Sequence, residues 1–145
     1  FHRVFNRVVE HVPIPLISIL DVVAARLEEL GCRRAALLGT RATMSGTFYP
    51  DRLSASGIET VVPTNGEQET IDATIFDELS RGLVVSESKR EAVTIVERLI
   101  HDEGADAVIL GCTELPLLLG ADDFLVPVLD TTSLHADAAL EEALS

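Results

Sequence analysis

Apolar positions along the chain fall into two kinds of run. Short, mainly apolar stretches, IPLISI (14–19), AALLG (35–39), IETVV (58–62), ADAVILG (105–111) and VPVL (126–129), are the length of buried strands. Between them the apolar residues return at helical spacing. Ala92, Val93, Val96, Leu99 and Ile100 share one helical face, and Ile71, Ile75 and Leu79 are four apart. Helices are predicted over 3–11, 22–30, roughly 44–56, 65–79, from Ser88 to before Gly104, and from 131 to about 144. Asp21, Asn65 with Gln68, Ser88 with Glu91, and Asp130 to Thr132 supply the expected caps, and Gly31, Gly57 and Gly104 the expected stops. Strands alternating with helices predict an α/β fold: a parallel sheet covered on both faces, in a flavodoxin-like arrangement.

This architecture directs attention to the loops that follow strands, because open parallel sheets bind ligands at the carboxyl ends of their strands. Three such loops carry chemistry. In GCTEL (111–115), Cys112 stands just past a strand, followed by Thr113, Glu114 and Pro116, which suits an early helical position. A thiol facing a helix start is expected to favour its thiolate and to be more reactive than Cys32, and the amides there would hold a carboxylate. In GTRATMSG (39–46), Thr40 and Thr43 offer hydroxyls and Arg41 a cation. In DTTSLH (130–135), capping accounts for Asp130 and Thr132, and His135 reads as a structural histidine. Cys32 lies between a helix and a strand, at the other edge of the sheet, and reads as structural.

Composition narrows the classes. The chain has 145 residues with 11 basic and 24 acidic side chains, a net charge of -13. That excess opposes nucleic-acid binding, which depends on Lys and Arg at phosphates, and leaves any anionic substrate to local donors. No apolar run reaches membrane-spanning length, and no signal peptide is visible, so the expected location is cytoplasmic. Two cysteines far apart suggest neither a disulfide framework nor a four-ligand zinc site, and no dinucleotide or P-loop pattern is present.

Several segments, in this order, resemble the aspartate/glutamate racemase superfamily, most closely its aspartate racemase-like branch: GTRATMSGTFYPDRL (39–53), GIETVVP (57–63), IFDELSRG (75–82), ADAVILGCTELPLLL (105–119) and PVLDTTSLHADAA (127–139). The resemblance implies two similar α/β domains with the active site between them, each supplying one cysteine. Residues 1–20 are then expected to be a remnant of the first domain, 21–112 a complete second domain, and 113–145 a segment returning to the first. Strands 14–19 and 126–129 would belong to the first-domain sheet. Phe1-His2 resembles the tail of the first cysteine segment, which places that cysteine before residue 1. By the same resemblance Cys112 is the second cysteine, and Thr113 partners the substrate carboxylate. Thr40 and Thr43 line the cleft, and Glu114 stands where glutamate racemases carry His, which favours aspartate.

The implied activity is cofactor-independent amino-acid racemisation, the 145 residues alone being expected to be inactive and to self-associate as homo-oligomers. A non-catalytic amino-acid or dicarboxylate binder is one alternative. A maleate isomerase or hydantoin racemase, which share the cysteine pair, is another.

Overall fold

The computed structural model describes residues 5–145, so the expectations resting on Phe1 and His2 lie outside the described residues. Helix α1 (Phe5–Val9) and helix α2 (Ile19–Glu29) precede strand β1 (Arg34–Leu38). Helices α3 (Arg41–Met44) and α4 (Phe48–Ala55) lead to β2 (Glu59–Val61). Helix α5 (Asn65–Ala73) continues through a π-helical turn (Thr74–Glu78) and a 3-10 turn (Leu79–Arg81), and α6 (Ser86–His101) leads to β3 (Ala107–Leu110). Two further 3-10 turns, Leu115–Leu117 and Ala121–Asp123, precede β4 (Val128–Asp130) and α7 (Thr131–Leu144).

The four strands form one parallel sheet in the order β2-β1-β3-β4. Its central strands are buried on both sides, so they are apolar without interruption. Successive side chains alternate between two cores. Ala36, Leu38, Val108 and Leu110 face the layer of α5 and α6, with Ile71, Ile75, Val96 and Leu99. Ala35, Leu37, Ala107, Ile109 and Leu129 face α2 and α4, with Val23, Leu27, Tyr49 and Leu53. The α/β class is therefore as the strand and helix periods predict.

Several local expectations are corrected. Residues 14–18 form no strand; Pro13 and Pro15 lack amide donors, and the Ser18 hydroxyl accepts from the Asp21 amide at 3.3 Å to start α2. Asp21, the expected cap, instead lies in the first turn and pairs with Arg52. The strand at 126–129, expected to serve a first-domain sheet, pairs in parallel with β3, and α7 packs on α2. The 113–145 segment thus adds a strand and a helix to the same layered unit.

The helix expected over roughly 44–56 is α4, which starts later at Phe48, and the short α3 precedes it; the chain turns between them at Gly46. A Cβ there would lie 2.6 Å from Phe48 Cε1 and 2.8 Å from the Ala42 carbonyl oxygen, so the turn closes only around glycine. The cap of α5 is Thr64, whose amide donates to Glu67 Oε2 at 2.7 Å, one residue before the expected Asn65–Gln68 pair. The expected Ser88–Glu91 cap falls inside α6, and Ser88 donates instead to Glu78 Oε1 at 2.9 Å. Asp130 does cap α7, accepting from the Thr132 amide at 2.9 Å and the Ser133 amide at 3.3 Å.

Candidate functional site

The strand order creates a divide between β1 and β3. The chain leaving β1 turns toward β2, and the chain leaving β3 turns toward β4. A crevice opens where such connections part, at the carboxyl ends of the two strands. Gly39-Thr40 and Gly111-Cys112 are the residues that emerge there.

These two loops touch because both have glycine at the strand end. A Cβ on Gly39 would sit 2.9 Å from Thr43 Cγ2, and one on Gly111 would sit 3.3 Å from the same methyl and 3.0 Å from the Leu38 carbonyl oxygen. The Thr43 methyl therefore fills the space that two absent side chains leave. The Gly111 amide donates to Leu38 O at 2.7 Å, which fixes the start of the Cys112 loop against β1. The hydroxyls of Thr40 and Thr43 lie 3.2 Å apart. Thr40, Thr43, Cys112, Thr113 and Glu114 are thus carried on two adjoining loops at one sheet edge.

The geometry around Cys112 departs from the expected one. The helical segment after it is a single 3-10 turn, Leu115–Leu117, too short to present the field of a helix terminus. Glu114 folds back instead. Its Oε2 accepts from Cys112 Sγ at 2.9 Å and from Thr113 Oγ1 at 2.6 Å. Burial, then the hydrogen bond to Glu114, pushes the Cys112 thiol from 9.0 up to about 11, against a smaller downward pull from the amides of Glu114 and Thr113. The expectation of a favoured thiolate is therefore overturned: a carboxylate beside a half-buried thiol stabilises S–H. Glu114 itself is lowered, because the Cys112 and Thr113 donors favour its charged form.

Cys32 sits at the amino-terminal edge of the sheet, its Sγ 3.8 Å from the Asp106 carbonyl oxygen, far from these loops in the fold. Burial raises its pKa, with the Asp106 charge adding to the effect. Arg41 stands beside Thr40 but is already engaged, its amide with Asp72 Oδ1 at 2.6 Å and its guanidinium with Glu69 at 3.0 Å. His135 is structural as read, its Nε2 being 2.9 Å from the Ile17 carbonyl oxygen, which pins the segment before α2.

Sequence patterns miss two residues that support the site. Thr131 is buried and donates to the Leu110 carbonyl at 2.9 Å, two residues before Cys112, while Asp130 alone does the capping. Tyr49, buried in the core of α2 and α4, lies near Thr131; burial pushes its phenol up to about 12 against the opposing pull of the Thr131 hydroxyl. Neither belongs to a recognisable spacing, because their proximity depends on α4 and α7 packing on the same face of the sheet. Among the described residues no group of three or more His, Cys, Asp or Glu side chains could hold a metal ion, and no helix is long and apolar enough to cross a membrane.

Comparison with known proteins places this arrangement. The profile of the Asp/Glu/Hydantoin racemase family matches residues 1–139. A protein of Pectobacterium carotovorum subsp. carotovorum, described as "Uncharacterized protein in pnlA 3'region", is 31% identical over 115 residues, which are 79% of this chain and 75% of that protein. The crystal structure of an aspartate racemase homologue from Pyrococcus horikoshii OT3 superposes with a TM-score of 0.93 at 39% identity, over 99% of this chain and 63% of that one. The aspartate racemase of Picrophilus torridus superposes with a TM-score of 0.64 at 26% identity, over 88% of this chain and 52% of that one. The chain thus spans less than two thirds of the length of these solved structures. With the GCTE loop at the carboxyl end of β3 beside β1 and a family profile running through nearly every element, the chain belongs to the Asp/Glu/Hydantoin racemase family.

Proposed function

We propose that these residues form part of a cofactor-independent amino-acid racemase acting on aspartate, with Cys112 as the acid or base on one face of the α-carbon. The observation that carries this reading is the Cys112 thiol held 2.9 Å from Glu114 at the β1–β3 crevice. Racemisation requires a proton to leave one face and another to arrive on the opposite face. A protonated Cys112 is ready to deliver the arriving proton. Having delivered that proton, the sulfur is the thiolate that takes the α-hydrogen in the reverse direction, so thiol and thiolate exchange roles. The hydroxyls of Thr40 and Thr113 and the strand-end amides would hold the α-carboxylate, and oriented donors there would stabilise the carbanion-like state.

The opposite face needs a second thiol. Cys32 cannot supply it from the other end of the sheet. The relatives are longer than this chain, and we assign the second group to their additional length. The raised thiol pKa and the lack of a second cysteine nearby also favour a second reading, a non-catalytic binder of amino-acid carboxylates.

Circular dichroism of D- and L-aspartate decides between them. The 145-residue chain is expected to bind aspartate without racemising it, and a form extended to the length of the solved relatives is expected to be active. Cys112→Ala in the extended form should lower kcat by on the order of a thousandfold, the scale of a lost acid–base group. Activity surviving that substitution refutes the role of Cys112, and an inactive extended form that still binds aspartate supports the binder.

A further inference from the structure

The reading above asks Thr113 to donate to a substrate carboxylate, yet its hydroxyl is already spent. A threonine hydroxyl has one proton to donate. That proton lies on Glu114 Oε2 at 2.6 Å, the shortest contact of the group, and the same oxygen receives the Cys112 thiol at 2.9 Å. Thr113 is exposed, so a ligand can reach it, while Glu114 and Cys112 are half-buried behind it. The Thr40 hydroxyl is in a different position: its partner is the neutral Thr43 hydroxyl at 3.2 Å, a bond with no charge to strengthen it.

We propose that Thr113 is a handover residue: in the empty site its hydroxyl is committed to Glu114, and an arriving α-carboxylate takes it, leaving Glu114 Oε2 with Cys112 as its only side-chain donor. The proposal rests on the racemase reading, which places a carboxylate beside Thr113. It joins ligand arrival to the readiness of the thiol. A carboxylate that has lost one of two donors is a stronger acceptor for the other, so Glu114 holds the Cys112 S–H more firmly once substrate is present and fixes the thiol as the proton donor. Without substrate, the two donors share Glu114, and the thiol is protonated there too. A protonated thiol resists oxidation and stray alkylation, because the thiolate is the reactive form. Thr113 is thus a positioning residue for the thiol as well as a carboxylate ligand.

Carbon-detected NMR of the 145-residue chain, with 13C in the glutamate carboxyl groups, tests this without any need for racemase activity. Glu114 would be titrated with and without saturating L-aspartate in the unaltered chain, in Thr113→Val and in Thr113→Ser. Because Thr113 is exposed, neither substitution disturbs the core. In the unaltered chain aspartate should raise the Glu114 pKa by about one unit, the scale of one lost charge-assisted hydrogen bond. Thr113→Val should show that rise already in the empty site, and Thr113→Ser should behave as the unaltered chain does.

An empty-site pKa in Thr113→Val equal to that of the unaltered chain would overturn the handover, since the bond would then have no hold on Glu114. So would an aspartate-induced rise of equal size in Thr113→Val, which would be the through-space effect of ligand charge. Aspartate that leaves the amides of Thr40, Gly111 and Thr113 unmoved removes both the handover and the racemase reading of this site. Racemisation by the extended form, with no change at Glu114, removes the handover alone.

Discussion

Replacing Glu114 with Gln should make Cys112 more acidic, and the size of the change follows from one distance. In the folded chain the thiol is pushed from 9.0 to about 11, first by burial and then by Glu114. Gln keeps the size of Glu and removes the charge. A unit charge 2.9 Å from a forming thiolate costs about 1.4 kcal/mol even at the dielectric constant of water, which is about one pKa unit. The amide of Gln can also donate to the thiolate, which acts in the same direction. The midpoint should therefore fall to about 10 or below, with burial keeping it above that of a free thiol. At pH 8 the thiolate fraction rises about tenfold. A less basic thiolate is also a poorer nucleophile by about threefold per pKa unit, so the alkylation rate should rise about three- to fourfold.

Iodoacetamide labelling from pH 7 to pH 11, followed by peptide mass spectrometry, separates Cys112 from Cys32 in a single sample. Cys32, whose nearby acidic group is Asp106, serves as the internal control and should not change. A Cys112 midpoint that stays in place or rises in Glu114→Gln would refute the carboxylate contact as the source of the shift. A midpoint at or below 9 in the unaltered chain would refute the upward shift of the thiol altogether.

Two predictions concern the frame around the site. Glu67 is lowered from 4.5 to about 2, chiefly by its hydrogen bonds to Arg98, so the fold favours its charged form. Its contribution to stability is present above pH 4.5 and is lost as the pH falls toward 2. Urea titrations across that window should show a loss on the order of 1 kcal/mol after solvent screening, absent in Glu67→Gln; an equal loss in Glu67→Gln would assign the acid sensitivity elsewhere. Gly46→Ala should destabilise the chain by about 1–3 kcal/mol, because its Cβ would meet Phe48 Cε1 at 2.6 Å and the Ala42 carbonyl oxygen at 2.8 Å; an unchanged thermal midpoint would refute the tight turn between α3 and α4.

The sequence by itself determined the fold class and the end of the sheet to inspect. Runs such as AALL and AVIL are apolar on both faces, which only a doubly covered strand requires, and Asp130 caps α7 through amides two and three residues away. Cys112 could be placed at a strand end for the same local reason. Where a signal depends on non-local partners, the sequence reading failed. IPLISI has the composition of a strand, but two prolines and a serine cap decide its fate. The strand at 126–129 reads the same whichever sheet receives it, and its pairing with β3 is a tertiary choice. That choice sets the order β2-β1-β3-β4, and the order sets where the crevice opens.

The chemistry of the site divides in the same way. The residue types in GCTE and GTRAT announce a thiol, hydroxyls and a carboxylate. Their protonation does not follow from spacing. It depends on how far the helix after Cys112 extends and on which way the Glu114 side chain turns. A single 3-10 turn and a carboxylate folded back to 2.9 Å reverse the electrostatics that a longer helix would have imposed. Thr43 fills the gap between Gly39 and Gly111, and Thr131 reaches Leu110 and Tyr49, only because β1, β3, α4 and α7 meet at one edge. Local hydrogen-bond geometry is written in residues three or four apart, whereas the state of a buried thiol is set by whatever the folded chain brings beside it.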